Sequence, residues 1–334
     1  MRRAVCMLLF ALLTACGGGG SGTPAAAGFT GSTTLSSANV TVEITVPRDA
    51  SSSARAPQYV SSGTANVSVS VAGITTTAAC ASPATTCSVQ VAAPLGNDTF
   101  AVSLFDTSMD LLATGSIAAT ITANIINTIS LTFNGVIHSL TLSLSVPTIA
   151  IGTAAASVLT ILAKDAAGDV IVPPGNYTQP IVVTQSPVSV ASISVTGATT
   201  ISTIPAASST LHIAYSGAVA PVSVVYTATA GTVTQSQTLT FPAPGGVTVS
   251  SPLLQFTTVP AGAQTETVSE TNYNGTFSDS APGCSGIANV GSVAGTSFGV
   301  TPIAAGACTV TVSDTIGNTQ TFNVHVATTA ITGS

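Results

Sequence analysis

Alternation with a period of two constrains this chain more than any other feature in it. Val40-Thr41-Val42-Glu43-Ile44-Thr45-Val46 places an apolar side chain at every second position, and an extended strand puts such residues on one face. The pattern returns in Val67-Ser68-Val69-Ser70-Val71, Val89-Gln90-Val91, Phe100-Ala101-Val102-Ser103-Leu104 and Ile129-Ser130-Leu131-Thr132-Phe133. It continues over 140–146, 158–163, 181–183, 211–215, 222–226 and 238–241. Turn residues separate these runs, which predicts sandwiches rather than alternating strands and helices. Residues 117–128, rich in Ala, Ile and Thr, have room for one helical turn. The uncharged stretch 139–163 is long enough to cross a bilayer. It reads Leu140-Thr141-Leu142-Ser143-Leu144-Ser145-Val146 before Pro147, which is strand alternation rather than a spanning helix.

Charge is scarce: Asp, Glu, Lys and Arg make up 5% of the 334 residues, against roughly 25% in an average soluble protein. Thr, Ser, Ala, Val and Gly fill the gap, and Thr and Val suit a half-buried pleated surface. Few edge charges remain to block strand-to-strand association. Beyond residue 15, three cations (Arg48, Arg55, Lys164) stand against eleven carboxylates, a formal charge of −8. That balance excludes a nucleic-acid partner, which needs a basic face, and electrostatic binding to anionic lipid.

The amino terminus has the layout of a secretory leader: Arg2 and Arg3, an apolar run over 4–13, then small residues. The apolar run has ten residues, about half of the roughly 20 a membrane-spanning helix requires. Leu13-Thr14-Ala15-Cys16 resembles the lipobox of bacterial lipoproteins. The resemblance implies cleavage before Cys16 and lipidation of its thiol, so that the chain is held on a membrane by acyl chains. More than one chain is needed for stable anchoring, at about 0.8 kcal/mol per buried CH₂. Gly17 after the lipidated Cys implies the outer membrane in families that sort by this residue. Residues 16–35 read as the lipidated Cys and a flexible Gly/Ser-rich tether. Gly17-x-Gly19-x-x-Gly22 matches a dinucleotide-loop spacing, but neither the strand before it nor the helix after it is present, so no cofactor is expected.

Cysteine arithmetic closes. Cys6 leaves with the leader and Cys16 takes the lipid, so Cys80, Cys87, Cys284 and Cys308 remain. In an exported chain they pair as Cys80–Cys87 and Cys284–Cys308. Loop-closure entropy alone gives about 2.5 kcal/mol for the short loop and about 3.5 kcal/mol for the longer one. The spacings fit no zinc pattern and no His lies near either pair, so no metal is expected.

Three strand–acidic turn–strand units recur: Leu104-Phe105-Asp106-Thr107-Ser108-Met109-Asp110, Ala163-Lys164-Asp165-Ala166-Ala167-Gly168-Asp169 and Val312-Ser313-Asp314-Thr315-Ile316-Gly317-Asn318. Gly168 and Gly317, fourth in their turns, suit a left-handed backbone. A calcium loop would alternate several carboxylates and end in Glu. None of these does, so plain hairpins are expected. Pro242-Ala243-Pro244-Gly245-Gly246 is the sharpest boundary. The expected division is a leader over 1–15, lipidated Cys and tether over 16–35, and β-sandwich domains over 36–136, 137–243 and 247–328.

The last of these carries a second resemblance. Its run from Gly306-Ala307-Cys308-Thr309-Val310 through Asp314 and Gly317 to Phe322-Asn323-Val324-His325-Val326 resembles the final two strands of a bacterial immunoglobulin-like domain. Val290-Gly291-Ser292-Val293 and Phe298-Gly299-Val300-Thr301-Pro302 are similar to the middle strands of such modules. The resemblance implies a spacer, adhesion or carbohydrate-contact module and no catalysis. The chain has no Trp, so the Trp that packs on the disulfide of antibody domains is missing.

One constellation has the look of a catalyst. Gly295-Thr296-Ser297-Phe298-Gly299 fits a nucleophile elbow, and Asp314 and His325 follow in the order of an α/β-hydrolase triad. The elbow works where a strand turns into a helix, whereas strand-like sequence flanks Ser297 on both sides. His325 alternates with Phe322, Val324 and Val326 and so points away from their core. His138 and His212 are isolated, and metal or general-base sites need several groups converging. Tyr59, Tyr177 and Tyr273 fall in loops, where an aromatic ring can meet a sugar.

The expectation is an all-β chain of tandem immunoglobulin-like sandwiches after a flexible tether, lipid-anchored at Cys16 in the cell envelope. Its role is then non-enzymatic, as structural spacer or adhesin. Its partners are the membrane, and a glycan or another envelope protein. A glycan-binding lipoprotein is the alternative and a serine hydrolase the second.

Overall fold

The computed structural model describes residues 36–46, 59–80, 84–127, 129–205, 208–218, 222–259 and 261–327. Among them the chain is built of strands, with a single 3₁₀ turn at Pro282–Cys284. The alternation in the sequence becomes alternation in burial. Val40, Val42 and Ile44 of the strand Ser37–Thr45 are at most 3% exposed, and Thr41, Glu43 and Thr45 face outward. Each fully buried Val, Leu, Ile or Phe is worth about 1.5–3 kcal/mol of transfer free energy.

The third sandwich shows the topology most plainly. One sheet has the order Thr248–Val249, Gln264–Ser269, Ser297–Pro302, Ala288–Val290, and the other Leu253–Phe256, Thr319–Val326, Gly306–Asp314, Phe277–Ser280. With Thr248–Val249 and Leu253–Phe256 read as two halves of one split first strand, the sheets are first–second–fifth–fourth and third–sixth–seventh. This is the strand order of an immunoglobulin sandwich. Leu253–Phe256 runs parallel to Thr319–Val326, and the other pairings are antiparallel. The missing Trp does not disturb this order. Phe298 and Phe322 fill the core between the sheets, ring centroids 5.8 Å apart. Cys284 and Cys308 are joined, S–S 2.18 Å, from the 3₁₀ turn to the sixth strand.

The second sandwich repeats the plan. Ser139–Leu144, Ala155–Lys164, Ser209–Tyr215 and Ile193–Thr196 form one sheet, in the first–second–fifth–fourth order once the extra strand Thr200–Thr203 is set aside. Asn176–Ser186, Ser223–Ala230 and Val233–Thr240 face it, with Thr200–Thr203 on the outer edge of Asn176–Ser186.

The first sandwich keeps only part of the plan. Ser37–Thr45 pairs with Thr86–Pro94 in a sheet of two strands. Opposite lie Ile74–Ala79, Asn66–Val71, Gly96–Phe105 and Leu111–Ile121. Cys80 and Cys87 are joined, S–S 2.00 Å, where the chain crosses from one sheet to the other. The short strand Asn134–Gly135 pairs antiparallel with Leu111–Ile121 and parallel with Asn176–Ser186. One sheet therefore runs through the first and second sandwiches, and their apolar residues form one core, from Val40 to Phe241. The core of the third sandwich is separate, from Val247 to Val326.

Two local expectations are corrected. Residues 129–133 form no strand, although Leu131 and Phe133 are 6% and 0% exposed. Their alternation plugs the open side of the core without joining a ladder. The described part of the region 117–128, residues 117–127, holds no helix. Its first part completes the strand Leu111–Ile121, and Asn124 then turns the chain with φ 62°.

Candidate functional site

The three acidic turns share one geometry. The amide of the first residue donates to the carbonyl four residues on, at 3.0 Å in each case: Asp106 to Asp110, Asp165 to Asp169, Asp314 to Asn318. The Asp carboxylate closes the loop by accepting backbone amides. Asp106 Oδ1 takes those of Ser108 and Asp110, Asp165 Oδ1 that of Asp169, and Asp314 Oδ1 those of Ile316, Gly317 and Asn318. The fourth residue is left-handed in all three, with φ 66° at Met109, 86° at Gly168 and 103° at Gly317. These are hairpins whose carboxylates point into their own loops.

Two of the turns lie at the joints between sandwiches. At the first, the segment Tyr59 to Ser62 grips the Asp165 turn. The Tyr59 hydroxyl donates to Asp165 Oδ2 at 2.5 Å, with both residues at most 1% exposed. Asp169 Oδ2 accepts from the Ser62 hydroxyl at 2.5 Å, the Ser62 amide at 2.8 Å and the Ser61 hydroxyl at 3.0 Å. Burial pushes the Tyr59 hydroxyl far up, and the Asp165 carboxylate beside it pushes it further. Burial raises Asp169 too, but the bonds from Ser62 and Ser61 outweigh it and hold the carboxyl below its usual range.

At the second joint, Ile151 donates its amide to the Asn272 carbonyl at 3.1 Å and accepts from the Asn274 amide at 2.8 Å. The Thr153 hydroxyl donates to the Asn274 carbonyl. Tyr273 lies in this contact, 6% exposed, and its hydroxyl bonds the Thr315 side chain at 2.8 Å and the Thr315 amide at 3.1 Å. Beside it, Glu270 and Asp314 converge on the Asn318 amide group, at 3.0 and 2.8 Å. Glu270 Oε1 also accepts the Gly246 amide at 3.1 Å. Burial, then the hydrogen bond and charge of Asp314, pushes the Glu270 carboxyl up. Asp314 is buried as well, yet the bonds from Asn318 and Ile316 pull it down. The two carboxyls are therefore pushed apart, Glu270 upward and Asp314 downward.

The hydrolase constellation is not assembled. Ser297 begins a strand of one sheet and His325 lies on the outer face of the other. Both Asp314 oxygens are engaged, Oδ1 by its own turn and Oδ2 by Asn318. His325 instead joins Gln255, Asn323, Thr309 and Leu253 around a shallow hollow of about 460 Å³. His138 and His212 are exposed, His212 between the buried Leu211 and Ile213. Tyr59, Tyr177 and Tyr273 are not available to a sugar: they are 0%, 8% and 6% exposed. The loop reading holds for Tyr59 and Tyr273, which pack at the joints between sandwiches. Tyr177 is corrected, since it lies in the strand Asn176–Ser186 and pairs with Gly135. Among the described residues, no group of three or more His, Cys, Asp or Glu side chains converges to hold a metal. Cys16 and the tether lie outside the described residues.

No protein-family model matches this chain. No curated protein matches it either. Among solved structures, the S-layer protein rSbsC is similar at 11% identity and TM-score 0.34, over 79% of this chain and 50% of that one. The chain thus spans half the length of that protein. The I9-I11 tandem from titin is similar at 11% identity and TM-score 0.33, over 87% of this chain and 94% of that one. A Parabacteroides merdae β-glucuronidase is similar at 11% identity and TM-score 0.23, over 53% and 20%. At these TM-scores none of them lends a residue or an activity to this chain.

Proposed function

We propose that this chain is a non-enzymatic spacer of the bacterial cell envelope, anchored by lipid at Cys16. The observation that carries the reading is the pair of bonded joints. Tyr59 with Asp165 at one, and Ile151 with Asn272 and Asn274 at the other, tie successive sandwiches together. Sandwiches tied in this way hold one another at fixed separations, as a spacer requires. The disulfides agree with an oxidising compartment outside the cytosol. The leader and Leu13-Thr14-Ala15-Cys16 supply the anchor. Labelled palmitate fed to expressing cells should enter the chain, and Cys16→Ser should abolish the label. Protease treatment of intact cells should then release peptides of 247–328 if the array is displayed outward. Failure to label removes the anchor from the reading, and full protection moves the array to the periplasm.

A second reading, an uncharged glycan contact, is favoured by the hollow around His325. Gln255, Asn323, Thr309 and His325 offer donors and acceptors, and Leu253 an apolar floor. The Thr309 hydroxyl already donates to Asn323 Oδ1 at 3.0 Å, which orients that amide. Glycan-array binding that disappears in Asn323→Ala and His325→Ala would favour this reading over a plain spacer.

A further inference from the structure

Among the described residues, the first sandwich has fewer strands than the other two, and one edge is open. In the second and third sandwiches, a first strand pairs with the free edge of the second: Ser139–Leu144 on Ala155–Lys164, and Thr248–Val249 on Gln264–Ser269. In the first sandwich Ser37–Thr45 holds the place of that second strand, paired with the fifth-strand equivalent Thr86–Pro94. Among the described residues nothing pairs with its other edge. Among the described residues no strand takes the fourth-strand position either, and there the disulfide Cys80–Cys87 joins the end of one sheet to the start of the other.

The register identifies the groups this edge presents. The Val46 amide bonds the Thr85 carbonyl at 2.8 Å, so the pairs in step with it, Ile44/Cys87, Val42/Val89 and Val40/Val91, are the hydrogen-bonded ones. Asn39, Thr41, Glu43 and Thr45 then direct their amides and carbonyls to the open side. A groove of about 650 Å³ lies there, lined by Thr41, Glu43 and Thr45 of the strand and by Ile126, Ile129 and Leu131 opposite. The far wall is held in place. Asn127, 8% exposed, accepts the Thr122 amide at 3.0 Å and donates to the Thr122 carbonyl at 3.0 Å. Ile126 beside it is 92% exposed.

We infer that this groove takes an added β-strand from another protein, an extended peptide alternating β-branched residues and bearing a Lys or Arg opposite Glu43. The backbone groups of Asn39, Thr41, Glu43 and Thr45 supply affinity, as in strand addition generally. The apolar wall selects β-branched side chains. Charge selects the source. Glu43 is the charged residue lining the groove, and an added strand without a cation leaves it unmatched. A second copy's strand Ser37–Thr45 brings another carboxylate. Residues 17–36 contain no cation, and their many glycines and Pro24 make them a poor strand. The inference goes beyond the spacer reading and does not depend on the anchor.

The test is fluorescence anisotropy on the purified full chain. The probes are a short labelled peptide alternating Val and Thr with one central Lys, and its counterpart with Glu in place of Lys. The Lys peptide should bind at least about tenfold more tightly, and Glu43→Lys should reverse the order. Thr41→Pro removes an amide that faces the groove and should abolish binding with the melting curve kept. If Thr41→Pro does not fold, the Glu43→Lys reversal alone decides. Equal binding of the two peptides, or binding of neither, overturns the inference. So does self-association in sedimentation that Thr41→Pro abolishes, or peptide binding that appears only after residues 17–35 are removed.

Discussion

Tyr59 and Asp165, 106 positions apart in the chain, share a buried 2.5 Å hydrogen bond across the joint between the first and second sandwiches. The bond is strong because its acceptor is a carboxylate with almost no water around it. It is also the point at which the joint is most vulnerable to substitution.

Tyr59→Phe removes the donor and leaves Asp165 Oδ2 buried, on a residue 1% exposed. Stability should fall by about 2–3 kcal/mol, read by urea denaturation. Small-angle scattering should show a wider spread of angles between the first two sandwiches.

Acid should loosen the same joint through Asp169. Its folded pKa is depressed, so its contribution is present above the unfolded value of about 3.9 and is lost as pH falls through the folded one. Proteolysis of the segment around Ser61 and Ser62 should therefore accelerate below about pH 4. Asp169→Asn should flatten this pH dependence.

Glu270 responds in the opposite direction. Its folded pKa is raised beside Asp314, so its contribution is full below about pH 4.3 and is lost as pH rises through the folded value. Glu270→Gln keeps an acceptor for the Gly246 amide and ends the repulsion. The third sandwich should melt higher than wild type at neutral pH and equally at pH 4, as read by calorimetry.

Met109 occupies the left-handed position that Gly168 and Gly317 hold in the sister turns, and its side chain is 54% exposed. A left-handed residue with a Cβ costs roughly 1–2 kcal/mol, partly offset by the extra chain entropy of Gly. Met109→Gly should stabilise the first sandwich by about 0.5–1 kcal/mol. A loss of stability instead would show that the Met side chain packs usefully.

At the second joint Gly152 has φ 105°, and a Cβ there would lie 2.5 Å from the Gly275 nitrogen. Gly152→Ala should cost roughly 1–3 kcal/mol through strain and push the 272–274 loop away. Faster proteolytic cutting at 242–246 would report the loosened joint.

Much of this could be read from the sequence because period two is a local signal. It assigned inward and outward faces to Val40 through Val46, sent His325 to the surface, and marked the acidic turns and the cysteine pairs. It misread 129–133, whose alternation buries Leu131 and Phe133 without a partner strand. It also left Tyr59, Tyr177 and Tyr273 as possible contacts: the burial of Tyr59 and Tyr273 depends on what packs over their loops, and Tyr177 lies in the strand Asn176–Ser186.

Alternation states which face of a strand is buried, and the sequence determined that much by itself, with the turns and the charge balance. It does not state which strand lies alongside, because ladder bonds join backbone groups that every residue carries. Tertiary structure alone decided that one sheet runs through two sandwiches, that Tyr59 meets Asp165, and that the edge Asn39 to Thr45 has no neighbour among the described residues.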